Sequence, residues 1–377
     1  RMKIAIVCYP TFGGSGVLAT ELGISLSKHG HEVHFIAYEK PVRLNKLNDG
    51  LFFHQVQVPN YPLFNFAPYE LALSTKLVEV VKTNSIDLMH VHYAIPHAYA
   101  AYMAKKMLKD QSINVPIVTT LHGTDITLVG NHPSYKTAVT FSINKSDLVT
   151  CVSKSLRDDT LDQFEITKNI HVIPNFIDIN KYNIQQAACL EEIPNISDQL
   201  TITHISNFRP VKNIKHVINI FNKVQKEINS KLIMIGEGPD KEMAEQFCVD
   251  LGISEKVEFL GNTNQVEKKL CHSDLFLLPS RTESFGLAAL EAMASKVPVI
   301  SSNAGGLSEI NIHGETGYLT NVDDIESMSN YAISILKDPK ILEEFKLRAF
   351  KKAESFDINR IVPLYEELYF KALEGFK

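Results

Sequence analysis

The sequence predicts an α/β protein with two doubly wound, Rossmann-like domains, each a parallel sheet covered by helices on both faces. Apolar runs of strand length alternate with helical stretches from the N-terminus onward. This alternation stops near residue 174 and begins again at residue 200, and 377 residues are enough for two separate cores. We expect the first domain to span residues 1–174, with 357–377 packing back onto it, and the second to span 175–356.

The first half opens with a βαβ unit. An apolar strand is predicted first, followed by a helix that Gly30 closes, and then a second strand. Pro96 opens a later helix and Ser153 caps another. Residues 42–66 show only weak strand character. The predicted strands of this half are 3–9, 32–37, 88–92, 116–121, 148–152 and 170–173.

The second half repeats this architecture without repeating the residues. Residues 174–183 predict a turn, and residues 184–199, which contain Pro194, predict a polar interdomain connection. Ligands of such sheets bind outside the carboxyl ends of the strands, so we expect a cleft there between the two domains. The predicted strands are 200–205, 231–235, 257–260, 275–278 and 297–301, and the predicted terminal helices are 323–337, 339–354 and 357–375.

Composition excludes several classes of function. A net charge of −5 without blocks of like charge argues against general binding of nucleic acid or of an anionic membrane surface. No apolar run approaches the ~20 residues that span a bilayer, and no secretory signal is evident, so we expect a cytoplasmic protein. The cysteines are odd in number and widely spaced, so we expect reduced thiols at Cys8, Cys151, Cys189, Cys248 and Cys271.

The strongest motif holds two carboxylates eight residues apart. Glu283 follows a predicted strand, and Glu291 lies about two turns into the next predicted helix, which Ser284 can cap. Carboxylates accept hydrogen bonds from sugar hydroxyls, and free amides at a helix start bind anions. The pattern therefore favours a nucleotide sugar over the alternative of two solvated glutamates. The free backbone amides at the predicted helix start are those of Phe285, Gly286 and Leu287. Because Gly286 has no side chain, it would let a ligand approach the backbone closely.

A pair of cations follows the first strand of the second half. Arg209 and Lys212 lie three residues apart in the turn that enters a helix. A guanidinium and an ammonium group there can stabilise the charge that develops on a leaving diphosphate. No Asp-x-Asp pair exists to hold a divalent metal at the diphosphate, so we expect no metal and no cofactor. The alternative is a basic pair on the surface.

A glycine-rich loop follows the first strand. Its small residues, 13–16, let backbone N–H groups approach a diphosphate or an oxygen-rich acceptor, which makes Gly14 and Gly16 candidate donor-binding residues. Read from Gly14 to Ala19, the loop also fits the dinucleotide pattern G-x-G-x-x-A, with Glu39 placed to meet a ribose. An NAD-dependent oxidoreductase is therefore one alternative, and a tight packing turn is another.

Histidines cluster at the strand ends of the first half. His122 and Asp125 follow one strand and are expected to reach the cleft, where an imidazole can donate to a sugar hydroxyl or carbonyl. His90 and His92 share one face of the neighbouring strand. Because no third ligand is indicated, packing and local hydrogen bonding are favoured over a metal site.

Taken together, these motifs resemble the retaining glycosyltransferases of family 4, which have the GT-B fold, and the resemblance covers essentially the whole chain. It implies that Glu291 binds the ribose hydroxyls of the donor and that Glu283, with the amides after it, binds the donor sugar. It further implies that Arg209 and Lys212 hold the diphosphate and that His122 contacts the sugar and the acceptor side. The candidate catalytic residues are therefore His122, Glu283, Arg209 and Lys212.

A closer match within the family lies in residues 9–16 and 121–127. It implies UDP-N-acetylglucosamine as donor, the hydroxyl of L-malate as acceptor and a first step of bacillithiol synthesis, without a metal. Another acceptor, such as a lipid-linked or polymeric sugar, stays open as an alternative. A homo-oligomer is possible, and no stable membrane insertion is expected. The residues expected to face the acceptor are Ser15, Tyr93, Thr119, Thr120 and His122.

Overall fold

A computed structural model describes residues 1–11, 14–45, 47, 49–192 and 198–375. The chain divides into two compact units, Arg1–Asn175 with Ile358–Lys377, and Phe176–Asp357. Each unit contains one parallel sheet with helices packed against it, so the predicted fold class is confirmed. No helix within these described ranges is long and apolar enough to cross a membrane.

The N-terminal unit is built on a seven-stranded sheet of order β3-β2-β1-β4-β5-β6-β7. Every pair of neighbouring strands is parallel. The strands are β1 (Lys3–Val7), β2 (Glu32–Ala37), β3 (Leu51–Gln55), β4 (Leu88–His92), β5 (Ile117–Leu121), β6 (Leu148–Cys151) and β7 (Ile170–Val172). The helices are α1 (Ser15–Lys28), α2 (Tyr69–Asn84), α3 (Tyr99–Lys109), α4 (Lys136–Lys145) and α5 (Lys154–Gln163).

The C-terminal unit is built on a six-stranded parallel sheet of order β10-β9-β8-β11-β12-β13. The strands are β8 (Leu200–Ile205), β9 (Ser230–Ile235), β10 (Val257–Gly261), β11 (Leu275–Leu278), β12 (Val299–Ser302) and β13 (Gly317–Thr320). The helices are α6 (Ile179–Glu191), α7 (Ile214–Val224), α8 (Lys241–Asp250), α9 (Val266–Leu270), α10 (Leu287–Ala294), α11 (Leu307–Ile310), α12 (Ile325–Leu336) and α13 (Pro339–Glu354).

The last helix, α14 (Ile358–Glu374), belongs to the N-terminal unit although it follows the C-terminal one in sequence. Its Tyr369 is fully buried, and the hydroxyl of Tyr369 lies 2.6 Å from Nδ1 of His90 on β4. The residues that make this contact are 279 positions apart. The helix therefore supports the strand beside the histidine cluster.

The predicted strands agree with the observed ones to within two residues, but two edge strands were not predicted. The first, β3, lies inside the stretch of weak strand character, and the other is β13. Edge strands are half-solvated, so their apolar pattern is weaker than that of buried strands. The predicted cap of α5 is confirmed, because the hydroxyl of Ser153 accepts from the Leu156 amide at 3.0 Å.

The segment that was predicted to connect the two domains, residues 174–199, differs from the prediction. Where a turn and a polar connection were expected, α6 runs from Ile179 to Glu191. Asp178 caps this helix by accepting from the amides of Asn180 and Lys181. Pro194 and its neighbours at 193–197 lie outside the described residues.

The expectation of reduced thiols is wrong for two cysteines. Cys189 and Cys271 form a disulfide with Cα atoms 6.4 Å apart. Their separation of 82 residues hides the pairing from sequence reasoning, since the packing of α6 against α9 brings them together. The other three cysteines, Cys8, Cys151 and Cys248, are buried thiols outside this disulfide, as expected of packing residues.

Candidate functional site

The centre of the candidate site in the C-terminal unit is an ion pair between Lys212 and Glu283. Nζ of Lys212 lies 2.5 Å from Oε1 of Glu283, and the two side chains are only 19% and 11% exposed. The hydroxyl of Ser280, which is fully buried, donates to the same carboxylate oxygen at 3.0 Å. Two donors thus fix the orientation of the Glu283 carboxylate. Sequence reasoning did not identify this contact of Ser280.

The loop after β8 and the loop after β11 are joined by one backbone hydrogen bond and one bond from a side-chain amide to the backbone. The amide of Arg281 donates to the carbonyl of Val211 at 2.7 Å. The side-chain amide of Asn213 donates to the carbonyl of Pro279 at 2.9 Å. These bonds hold the loop of Lys212 against the loop of Glu283, so the ion pair is positioned by the backbone and not only by its own attraction.

Glycines let a third loop approach Glu283. A Cβ on Gly305 would lie 1.9 Å from the carbonyl oxygen of Glu283, and the φ of Gly305 is +54°. The amide of the next residue, Gly306, donates to that same carbonyl at 2.9 Å. No side chain fits between these backbones. The glycine loop that follows β12 therefore packs against the loop of Glu283.

Gly286 packs closely against a neighbouring helix. It has a φ of +93° and is the residue before α10, and a Cβ there would lie 2.5 Å from Leu307 Cδ2. Close packing against α11 thus requires the glycine. The predicted cap by Ser284 is wrong, because α10 begins at Leu287 and no side chain caps it.

A short helical turn, Pro210–Lys212, follows β8. Arg209 directly precedes this turn, and Lys212 is its last residue. The amide of Lys212 donates to the carbonyl of Arg209 at 2.9 Å, and Arg209 is exposed. On the other side of this loop, a Cβ on Gly236 would lie 1.7 Å from the carbonyl oxygen of Ser206. The glycine turn after β9 therefore also has a packing role.

The second carboxylate of the motif, Glu291, is the fifth residue of α10, and so lies about one turn into the helix. The hydroxyl of Tyr182, on α6, donates to its Oε2 at 3.2 Å. Tyr182 is only 5% exposed, so its ring is anchored by packing. Sequence reasoning missed Tyr182 because it lies in the segment that was expected to be a turn.

In the N-terminal unit, His122 lies on a loop that Asp125 organises. The Asp125 carboxylate accepts from the backbone amides of His122 at 3.3 Å, Gly123 at 3.1 Å and Ala94 at 2.8 Å. Asp125 is 3% exposed, and burial raises the pKa of its carboxyl group while these amide donors oppose that shift. The buried Asp125 carboxylate therefore shapes the loop that carries His122.

The histidine cluster is uncharged, with His90, His92 and His97 buried and His122 half-buried. Nδ1 of His92 lies 2.9 Å from Nε2 of His122, and His90 Nε2 lies 2.7 Å from the hydroxyl of Thr120. Burial lowers the pKa of His122 and of His90 to about 3, and that of His97 to about 4. At neutral pH His122 is thus a neutral imidazole, able to donate or accept a hydrogen bond without carrying charge.

Two of the residues expected to face the acceptor lie beside His122. The hydroxyls of Ser15 and Tyr93 are in direct contact, and the Tyr93 ring centroid is 5.1 Å from that of His122. Thr119 and Thr120 are fully buried instead. Their hydroxyls bond within the unit, so we omit these two from the acceptor site proposed below.

The glycine loop before α1 is only partly described. Gly13 lies outside the described residues. Gly14 has a φ of +65° and open space where a Cβ would stand. Gly16 is buried, and a Cβ there would lie 2.3 Å from the carbonyl oxygen of Tyr9, so this glycine serves the packing of α1 against the end of β1.

Two family models match this chain. The model described as Glycosyltransferase Family 4 matches residues 12–181, and the model described as Glycosyl transferases group 1 matches residues 190–352. The first range contains the glycine loop on which the NAD-dependent alternative rested. Both halves of the chain are therefore matched by models of glycosyl transfer.

One relative and two solved structures are similar over the whole chain. The N-acetyl-alpha-D-glucosaminyl L-malate synthase of Bacillus anthracis is 43% identical, covering 100% of this chain and 99% of that protein. HepE from Anabaena, solved with UDP and glucose, has a TM-score of 0.80 at 19% identity, covering 98% of this chain and 99% of that one. Sucrose-phosphate synthase from Thermosynechococcus elongatus has a TM-score of 0.79 at 20% identity, covering 100% of both chains.

Proposed function

The chain belongs to the family 4 glycosyltransferases, and we propose that it transfers N-acetylglucosamine from UDP-N-acetylglucosamine to the hydroxyl of L-malate. The observation that carries this proposal is the 43% identity with an N-acetylglucosaminyl malate synthase over the full length of both chains. The family sets the class of reaction, and this relative suggests the two substrates.

On the donor side, the proposal assigns each charged group of the C-terminal unit to one part of the nucleotide sugar. Glu291 accepts hydrogen bonds from the ribose hydroxyls, and Tyr182 orients its carboxylate. Glu283 and the amides at the start of α10 bind the sugar, namely those of Phe285, Gly286 and Leu287. Arg209 and Lys212 hold the diphosphate, for which a helical turn ending in a cation is suitable.

On the acceptor side, the proposal uses the polar groups around His122. A dicarboxylate such as malate needs hydrogen-bond donors. The hydroxyls of Ser15 and Tyr93 bond to each other, so one of their two hydrogens is left to donate to the acceptor. The neutral imidazole of His122 supplies a second donor, and among the described residues no atom lies within 4 Å of where a Cβ of Gly14 would stand. We assign no residue to an individual malate carboxylate.

The proposed reaction retains the configuration at the anomeric carbon. The bond between that carbon and the phosphate oxygen breaks, and the malate hydroxyl oxygen bonds to the same face of the sugar. The hydroxyl proton passes to a phosphate oxygen of the departing UDP. Negative charge grows on the phosphate oxygens in the transition state, where the ammonium group of Lys212 and the guanidinium group of Arg209 stabilise it.

We propose that these two cations supply the charge that a divalent metal supplies in other sugar transferases. Lys212 is suited to this role because its position is set by the backbone bonds that join the loops after β8 and β11. A preorganised charge needs little rearrangement as the transition state forms. Turnover should therefore persist when divalent metals are chelated.

The direct test measures UDP release from UDP-N-acetylglucosamine and L-malate in the presence of EDTA. The proposal predicts malate-dependent turnover that EDTA does not reduce. Release that requires a divalent metal would contradict the assigned role of the cations. A parallel panel of acceptors, including glycerol phosphate and short oligosaccharides, identifies a different acceptor if malate gives no turnover.

A further inference from the structure

A second cluster of reactive side chains lies in the C-terminal unit, at the ends of α6 and α9. Cys189 is in the last turn of α6, and Cys271 and His272 directly follow α9. The two Sγ atoms and a ring nitrogen of His272 all lie within 4.8 Å of one another. No residue of this cluster belongs to the proposed donor or acceptor sites.

The ring nitrogen of His272 faces two further ligand atoms at once. Its Nε2 lies 3.8 Å from Sγ of Cys189 and 3.0 Å from Oε2 of Glu192. Bond lengths of about 2.3 Å for Zn–S and 2.0–2.1 Å for Zn–N in a tetrahedral site would separate sulfur and nitrogen by roughly 3.6 Å. The observed spacing of Cys189 and His272 agrees with that value.

The cysteine pair also differs from the other cysteines of the chain. Cys8, Cys151 and Cys248 are at most 1% exposed and fill the cores. Cys189 and Cys271 are half-buried at helix ends, where a thiol contributes little to packing. Two sulfurs, one imidazole and one carboxylate are the ligand types that Zn²⁺ takes in proteins.

We propose that the reduced form of this cysteine pair binds one Zn²⁺ together with His272 and Glu192. A phosphine reductant supplies two electrons to the disulfide and becomes a phosphine oxide, while water supplies the oxygen and the two protons, so that the disulfide becomes two thiols. Both thiols lose their protons when the metal binds, and the two sulfurs separate to roughly 3.8 Å in a tetrahedral site. The ion would then link α6 to α9 in place of the disulfide.

Such a link would add to contacts that already join the two helices. Nζ of Lys181, on α6, lies 3.4 Å from Oε1 of Glu267, on α9. Tyr182, which follows Lys181, is the residue that contacts Glu291. The metal would therefore anchor the far end of the helix that supports one of the proposed donor-binding carboxylates.

The test uses the untagged full-length protein after reduction with a phosphine. A thiol titration first shows that Cys189 and Cys271 are both reduced. Titration with Co²⁺ should give one ion per chain, with thiolate-to-cobalt charge-transfer absorption and the visible bands of tetrahedral cobalt. Zn²⁺ should abolish these bands. The Cys189→Ser and Cys271→Ser variants should lose them, and His272→Gln should weaken binding at least tenfold.

A matched control is His216→Gln, which alters another histidine–carboxylate pair of the same unit, 2.7 Å from Asp323. It should bind cobalt like the unaltered protein. Absence of one-to-one binding when both thiols are free would overturn the proposal. So would unchanged cobalt bands in a folded Cys189→Ser, Cys271→Ser double variant. None of these readouts depends on sugar transfer, so the outcome is separate from that of the proposed function.

Discussion

Lys212 and Glu283, 71 residues apart in the chain, form an ion pair at the carboxyl ends of β8 and β11. Backbone hydrogen bonds between their loops set this arrangement, and a third loop reaches Glu283 only because Gly305 has no side chain. An acidic and a basic group with opposite proposed tasks, sugar binding and diphosphate binding, are therefore held in one rigid assembly.

The first prediction concerns the ammonium group. We expect Lys212→Ala to lower kcat/KM for UDP release by about 10²–10³-fold, the usual cost of removing one preorganised charge from a transition state. Lys241→Ala is the control, since Lys241, the first residue of α8, forms an exposed pair at 2.7 Å with Glu237 in the loop after β9. A Lys212→Ala enzyme within threefold of the unaltered protein would rule out the proposed role.

The second prediction concerns Tyr182. Tyr182→Phe removes a single hydrogen bond to Glu291 and keeps the buried ring. One such bond contributes about 0.5–1.5 kcal/mol, so the KM for the donor should rise roughly 2- to 10-fold with little change in kcat. Tyr331→Phe, on α12, is the control. A lower kcat at unchanged KM would show that Tyr182 acts in the reaction and not through Glu291.

The third prediction compares two glycines with positive φ. Gly305→Ala places a Cβ against the carbonyl oxygen of Glu283, whereas Gly314, with a φ of +78°, has nothing within 4 Å. Gly314→Ala should therefore lose only the ~1 kcal/mol typical of backbone strain. Gly305→Ala should lose more of its free energy of unfolding than Gly314→Ala does, and it should also bind UDP more weakly. Equal unfolding midpoints and equal UDP affinities for the two variants would contradict the packing role.

The fourth prediction concerns pH. Burial lowers the pKa of His90 to about 3, so the unfolded chain binds a proton at His90 between pH 6.5 and about 3 while the folded chain does not. The free energy of unfolding should be fully retained above pH 6.5 and should fall as the pH drops through this window. Within this window, removing one such histidine should reduce the slope of the free energy of unfolding against pH by about 1.4 kcal/mol per pH unit.

His90→Gln tests this by urea unfolding at pH 7.5, 5.5 and 4.5. The exposed His132 supplies the control variant, His132→Gln. The comparison of slopes remains informative even if His90→Gln is less stable at every pH, because the lost hydrogen bonds to Tyr369 and Thr120 shift all three values together. An unchanged slope would show that His90 is not kept neutral by the fold.

Sequence reasoning reached the fold because buried parallel strands produce apolar runs that are easy to recognise. It also selected Glu283, Lys212 and Arg209 as candidate site residues because each lies in a loop that follows a strand, and their roles stay predictions. It did not identify Tyr182 or the pairing of Cys189 with Cys271, because both depend on how α6 packs. That helix carries a weak amphipathic pattern in a polar segment, so nothing local predicts its position.

Sequence reasoning also gave two threonines a role at the acceptor that their burial does not support. Thr119 and Thr120 are fully buried, and Thr120 lies in a hydrogen-bond network with His90. A strand end predicts that a residue lies near the site. It does not predict whether its side chain faces a ligand or the neighbouring strand.

The central claim is that the C-terminal unit binds the nucleotide sugar through its carboxylates and cations. The most direct measurement is a crystal structure of the protein soaked with UDP. The account predicts the ribose hydroxyls on Glu291 and the diphosphate against Arg209 and Lys212. Nucleotide bound only at the glycines before α1, with no contact to Glu291 or Lys212, would contradict it.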